Sequence, residues 1–235
     1  MKKLGIIGAM SIEIEALKAQ MSDVTVKEHA GMTFYEGILE GLPVVLVVCG
    51  VGKVNAGICV QVLCDCFDVT HIVNTGVAGS LSAELDIGDF VIGSQAIYHD
   101  FDCHTLNPDY PVGQVPGLSV RAFPADDTLI QLAYEAACSI HPDHAQIGVV
   151  ASGDQFVCDK AEKAKIVEDT GALCTEMEGA AISHAAWRNG VPVVVIRAIS
   201  DKADDSAQMD YPTFEAIAAK RCAAVTQRLA KHMAQ

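Results

Sequence analysis

Between Cys174 and Asp205 the chain reads CTEMEGAA, then an apolar run, then IRAISDKADD. Val193 to Ile196 forms an apolar strand that runs on into Ala198-Ile199-Ser200-Asp201. A carboxyl group therefore stands at its C-terminal tip, where open α/β sheets place their ligands. Glu176 and Glu178 end the extended segment before it, and a helix begins at Gly179 between the two. Acids at two strand ends with a helix between them commit this region to an α/β scaffold with a carboxylate-lined cleft. A plainer reading stands beside that one: an acid just before a helix often serves only as its cap or as a partner for its dipole, and Glu178 suits that role.

A third acid comes from the other end of the chain. Lys3 to Met10, KLGIIGAM, reads as a short buried strand turning through Gly8. In the SIEIEALKAQM that follows, Ile12, Leu17 and Met21 fall at helical spacing and Ser11 is placed as the N-cap. Glu13 then sits in the first turn, facing the strand ends, with a solvated first-turn glutamate as the alternative.

At 235 residues and 51% hydrophobic content the chain can bury a full core, and no linker or low-complexity run divides it, so one domain over 1–235 is expected. Extended segments read at 3–7, 24–29, 33–39, 42–49, 71–74, 89–98, 146–152, 172–176 and 191–199, with a hairpin across Glu40-Gly41. Helical periodicity reads at 12–20, 54–66, 127–139, 160–168, 179–188 and 212–233. Strands dominate early and alternate with helices later, which predicts a single α/β domain with a central mixed β-sheet flanked by helices on both faces.

Composition excludes several partners. A net charge of −14 with only five arginines argues against a phosphate backbone, so no nucleic acid is expected. The MKKLGIIGAM start is too short in its apolar part for a signal peptide and meets Glu13 and Glu15 early. No apolar stretch reaches the roughly 18 residues of a membrane helix. Nine cysteines, most of them in apolar settings, point to a reducing compartment, so a cytoplasmic protein is expected. His99 to His104 (HDFDCH) offers ligand-type side chains without a metal spacing.

Two glycine-bearing segments read as turns, and the first fails as a phosphate loop. Gly50-Val51-Gly52-Lys53 has Val at position 47 and Val54 after the lysine, so it is no P-loop, and GVGKVN lacks the third glycine of a dinucleotide fingerprint. It remains a tight turn whose backbone can approach a ligand. Asn74 to Ser80, NTGVAGS, reads as a second small-residue turn after the strand HIV. Ser152 to Val157 places Phe156 near the same sheet edge, with a core phenylalanine as the competing reading.

GIIGAM with a glutamate shortly after, GVGKVNA, NTGVAGSL, ASGDQFV, TEMEGAA and RAISDKAD occur in that order over nearly the whole chain. Together they resemble the 5'-methylthioadenosine/S-adenosylhomocysteine nucleosidases of the nucleoside phosphorylase superfamily. The resemblance implies a homodimeric enzyme that hydrolyses the N-glycosidic bond of a 5'-substituted adenosine and releases adenine, with no cofactor and no metal. It assigns Asp201 as the general acid at purine N7, Glu13 as the group activating water, and Glu178 as the ligand of the ribose hydroxyls. It further implies that the backbone at Val157 reads the adenine edge while Phe156 stacks on it, with Ala78 and Gly79 near the base. Met10, Val51, Met177 and Tyr211 would line the ribose and 5' pocket, Arg197 would lie near the water and ribose groups, and Ser200 and Glu176 would complete the site. Tyr211 stands where the family usually has phenylalanine. The loop Cys103 to Val112 is longer than the family's and carries Leu106 in place of an aromatic; in the family this loop, with a proline equivalent to Pro116, closes the partner subunit's pocket.

Two rivals follow from the chemistry. A phosphorylase would need cations for its phosphate, yet Glu13 occupies that face and Arg197 alone is available. A non-catalytic nucleoside-binding or sensor protein is the second, and the presence of all three acids argues against it; within the hydrolases, the resemblance also implies aminofutalosine as an alternative substrate.

Overall fold

The computed structural model describes residues 2–235. Its strands are β1 (Leu4–Gly8), β2 (Ser22–His29), β3 (Met32–Leu39), β4 (Leu42–Val48), β5 (His71–Ser80), β6 (Phe90–Tyr98), β7 (Phe123–Pro124), β8 (Ala145–Ser152), β9 (Cys174–Glu176) and β10 (Val193–Asp201). The helices are α1 (Ser11–Lys18), α2 (Lys53–Phe67), α3 (Asp127–Ile140), α4 (Lys160–Thr170), α5 (Gly179–Asn189) and α6 (Ala207–Met233). Among the described residues all ten strands join one mixed sheet, in the order β10-β6-β8-β9-β5-β1-β4-β3-β2 with β7 on β6. β10 also pairs with β5 in parallel register, so β5, β10, β6, β8 and β9 close on themselves as a ring, and β1, β4, β3 and β2 extend from it as an open wing.

Alternation along the strands sorts the core into two layers. In β1 and β4, Ile7, Val45 and Val47 face one layer, packed on Ala56, Cys59 and Leu63 of α2 and on Ala180 and Ile182 of α5. Leu4, Ile6, Val44 and Leu46 face the other, packed on Ile14 and Leu17 of α1, Leu129 and Ala133 of α3, and Ala219 and Leu229 of α6. Helices therefore cover both faces, as the alternating pattern requires. At the Glu40-Gly41 hairpin both residues have positive φ, 52° and 82°, the two-residue turn whose twist matches the strands it joins.

Four local readings need correction. Asn74 to Ser80 is not a turn but the second half of β5, because β10 supplies a parallel ladder from Thr75 to Gly79. Ser11 is the first helical residue and Met10 the N-cap; the helix buries Glu13, Ile14 and Leu17 and leaves Ile12 exposed. α6 begins at Ala207, five residues ahead of Pro212, and accommodates the proline inside its second turn. The short β7 was not anticipated, since two residues carry no periodicity. No helix of the described residues is long and apolar enough to cross a membrane.

Candidate active site

Residues at the C-terminal ends of β5, β9 and β10, with Ala9 and Met10 just after β1, line one cavity of about 100 Å³. Glu13 reaches it from the first turn of α1, almost completely buried. Its Oε2 accepts from the N–H groups of Ala9 (2.7 Å) and Met10 (3.0 Å), and its Oε1 accepts from Val77 N–H (3.2 Å). Burial pushes its carboxyl above the ordinary range, against the opposing charge of Arg197 and those three N–H groups. A Cβ at Gly76 would lie 2.4 Å from Glu13 Oε1, so the missing side chain makes room for the carboxylate.

Asp201 ends β10. Its Oδ1 accepts Ala203 N–H at 2.8 Å, and Ser200 Oγ donates to Oδ2 at 2.9 Å. Burial again raises the carboxyl above its ordinary value. Gly79 serves Asp201 as Gly76 serves Glu13: a Cβ there would lie 2.7 Å from Asp201 Oδ1. Gly76 and Gly79 lie three residues apart on β5, about 10 Å along the strand, and each leaves space for one of the two acids.

Glu176 and Glu178 exchange the roles that a capping argument gives them. The Glu178 side chain makes no cap bond; it turns away to accept Gly52 N–H at 2.7 Å from the GVGK turn. Glu176 caps α5 instead, its carboxylate accepting from Glu178 N–H (3.1 Å) and Gly179 N–H (2.8 Å). Glu176 also receives Ser152 Oγ–H and forms an ion pair with Arg197, which in turn donates to Asn74 Oδ1. Glu178 therefore carries the unspent carboxylate. Burial, with the Glu176 charge adding to it, pushes its pKa up to about 8. For Arg197, burial works against the charged form but is outweighed by Glu176, Glu13 and Glu178, so the guanidinium stays protonated.

Of the residues singled out in the sequence, Met10, Glu13, Val51, Ala78, Gly79, Phe156, Glu176, Met177, Glu178, Ser200, Asp201 and Tyr211 all line the cavity. Val157 lines a smaller adjoining hollow shared with Gly79, Phe156 and Asp201. Phe156 is not a core residue: it is 44% exposed, with its ring edge-on to Tyr211 at 5.4 Å. The Tyr211 hydroxyl donates to Glu215 at 2.9 Å and lies 3.5 Å from Met10 Sδ. Arg197 does not line the cavity; it lies beneath the acids as their counter-charge. Leu106 and Pro116 are exposed and stand outside it.

Sequence reasoning missed Thr175, whose buried Oγ1 has no partner among the described residues although the residue lines the cavity. It also missed the supports Asn74, Ser152 and Gly76. A polar residue next to a strand-end acid was the available signal for Thr175; the supports come from strands distant in sequence. The His99 to His104 segment does not gather its ligand atoms, and no metal-ligating group of three lines the cavity.

A cavity lined by four carboxyl groups, with Phe156 and Tyr211 among its walls and a buried guanidinium paired to Glu176, suits an enzyme that stabilises cationic character on a sugar. Comparison with known proteins agrees: the Phosphorylase superfamily model matches residues 3–231. The 5'-methylthioadenosine/S-adenosylhomocysteine nucleosidase of Oceanobacillus iheyensis is 38% identical over 230 residues, covering 97% of this chain and 98% of that one. The crystal structure of the Neisseria meningitidis nucleosidase of the same name, in complex with methylthio-immucillin-A, superposes with a TM-score of 0.94 at 35% identity, covering 99% and 100% of the two chains. The futalosine hydrolase of Helicobacter pylori gives 0.92 at 31% identity, covering 98% of each. The chain belongs to the 5'-methylthioadenosine/S-adenosylhomocysteine nucleosidase family of the phosphorylase superfamily.

Proposed function

We propose that this enzyme hydrolyses the N-glycosidic bond of 5'-methylthioadenosine, S-adenosylhomocysteine and 5'-deoxyadenosine and releases adenine. The observation that carries the reading is the pair of buried carboxyl groups, Asp201 and Glu13, which line one cavity and pack against Gly79 and Gly76, three residues apart on β5. The adenine lies at the Asp201 end, stacked on Phe156 with its edge toward the backbone at Val157. Asp201 gives its proton to N7 as the C–N bond breaks, so adenine leaves neutral rather than as an anion. Burial, which raises its pKa, favours the protonated form more than in a free aspartate. Glu178 and Glu13 face the ribose: Glu178, whose carboxyl keeps its proton below about pH 8, hydrogen-bonds the ribose hydroxyls, and the Glu13 carboxylate stabilises the developing oxocarbenium charge. Glu13 removes a proton from water as it adds to the anomeric carbon, and Met10, Val51, Met177 and Tyr211 enclose the 5' substituent.

Hydrolysis is favoured over phosphorolysis by charge. A phosphate would enter beside Glu13, Glu176 and Glu178, and the buried cation beneath them is already committed to Glu176. The likeness to a futalosine hydrolase favours aminofutalosine as a second substrate.

A homodimer completes this reading. Val54 (73% exposed) and Ile58 present apolar surface on α2, next to an open hollow of about 430 Å³ between α2 and α5, and Leu106 is 76% exposed on the nearby loop. In the dimer Leu106 and Pro116 of one protomer close the 5' pocket of the other. The nine cysteines, all unpaired, suit the cytoplasm.

Adenine release from methylthioadenosine, S-adenosylhomocysteine, 5'-deoxyadenosine and aminofutalosine, each with and without phosphate, tests the proposal. Phosphate-independent release with free sugar as co-product is expected. Release only with phosphate makes the chain a phosphorylase, and turnover of aminofutalosine alone transfers it to the second reading.

A further inference from the structure

Away from the active site, three side chains with metal-ligating atoms meet where the loop after α3 returns to the head of β6. Asp89 directly precedes β6 and is buried; its Oδ2 accepts Asp86 N–H at 2.8 Å, and its Oδ1 lies 2.7 Å from His144 Nδ1. His141 terminates α3, its ring stacked on that of His144 with centroids 3.8 Å apart and planes 7° from parallel. One ligand atom from each of the three residues lies within 4.8 Å of the others. The proposed glycosidic chemistry uses none of them.

Four features distinguish this cluster from a chance meeting of polar groups. His141 Nδ1 is buried and has no hydrogen-bond partner among the described residues, a vacancy that ordinarily costs about 1–3 kcal/mol. The stacking of the two imidazoles at 3.8 Å holds both rings beside the Asp89 carboxylate. His141 stands at the C-cap of a fourteen-residue helix, whose unsatisfied carbonyls favour positive charge. Asp89 is oriented beforehand by the Asp86 amide, and the half-exposed His144 leaves a path for an ion and its water.

We propose that Asp89, His141 and His144 form a binding site for one divalent transition-metal ion of the zinc type, with water in the fourth position. Two imidazoles and a carboxylate are a donor set that zinc takes with bonds of about 2.0–2.2 Å. Ligand atoms then sit roughly 3.3 Å apart, so the His144–Asp89 pair opens slightly while His141 swings inward. Both histidines lie on the surface turn 141–144, where Asp143 already has a left-handed φ of 65°, and that turn can supply the movement. The backbone carbonyl of Asp89 accepts Ile199 N–H at 2.9 Å, so a bound ion fastens the head of β6 to the strand that ends in Asp201.

The test is titration of the chelator-stripped full-length protein with cobalt(II), followed by its visible absorption, and with zinc in competition. One ion per chain is expected, with no thiolate charge-transfer band despite nine cysteines, together with a rise in thermal midpoint on binding. His141→Ala and His144→Ala, both in the surface turn, each weaken binding by at least about tenfold and each lose the metal-induced rise in midpoint, measured against that variant's own metal-free midpoint. A thiolate band, unchanged affinity in the double variant, or no binding at millimolar cobalt overturns the proposal.

Discussion

Gly76→Ala is the substitution that most directly probes how β5 sets the catalytic geometry. The new Cβ would lie 2.4 Å from Glu13 Oε1 and 3.0 Å from its Cδ, where ordinary contact begins at 3.4 Å. The carboxylate must therefore retreat by about 1 Å, since β10 fixes the backbone at Gly76 through its pairing with Arg197. Retreat opens the Val77 N–H bond, already 3.2 Å long, while the bonds from Ala9 and Met10 keep the group tethered. Losing one hydrogen bond to a charged group costs roughly 1.5–3 kcal/mol of stability. A displacement of that size at a catalytic group lowers kcat by about 100-fold. Steady-state adenine release measures the rate and chemical denaturation the stability. In a Glu13→Ala background the carboxylate is gone and Gly76→Ala should add nothing further, a non-additivity that ties the effect to this contact. Activity within roughly threefold of the parent, or full additivity with Glu13→Ala, refutes the reasoning.

Asp201→Asn keeps the Ala203 N–H contact but has no proton to give, so kcat falls by about 10²–10⁴-fold while adenine still binds; near-normal turnover removes Asp201 from the mechanism. Glu178 makes stability pH-dependent. A carboxyl raised to about 8 in the folded state stabilises the fold fully below its unfolded value near 4.5 and surrenders that contribution as pH rises through about 8. The thermal midpoint of the free enzyme should therefore fall as pH rises from about 4.5 to about 8 and level off above it, and Glu178→Gln should flatten the fall; equal slopes in both proteins contradict the assignment. Arg197→Ala strands the Glu176 carboxylate without its buried partner and costs about 3–5 kcal/mol in denaturant titrations, partly recovered by adding Glu176→Gln; a loss below about 1 kcal/mol means the ion pair is dispensable.

Local patterns were sufficient for most elements and for the acids themselves. Alternating and 3.6-residue periodicities place β1, β4, α2, α3 and α5 to within a residue or two, because burial of one face is a property of consecutive residues. Asp201 at a strand tip and Glu13 in a first turn are likewise readable, since each position follows from its own element. The roles of Glu176 and Glu178 are not: both stand just before α5, and only the approach of Arg197 and Ser152 to one, and of Gly52 to the other, decides which acid caps the helix and which keeps a free carboxylate. The NTGVAGS segment has the composition of a turn and becomes strand because β10, more than a hundred residues later, offers it a ladder. That same pairing closes the ring and brings Gly76 and Gly79 against Glu13 and Asp201. Sequence by itself thus determined the elements and the chemical groups they carry. Tertiary structure alone decided their burial, their partners and hence their protonation, because desolvation and charge coupling depend on neighbours that lie far apart along the chain.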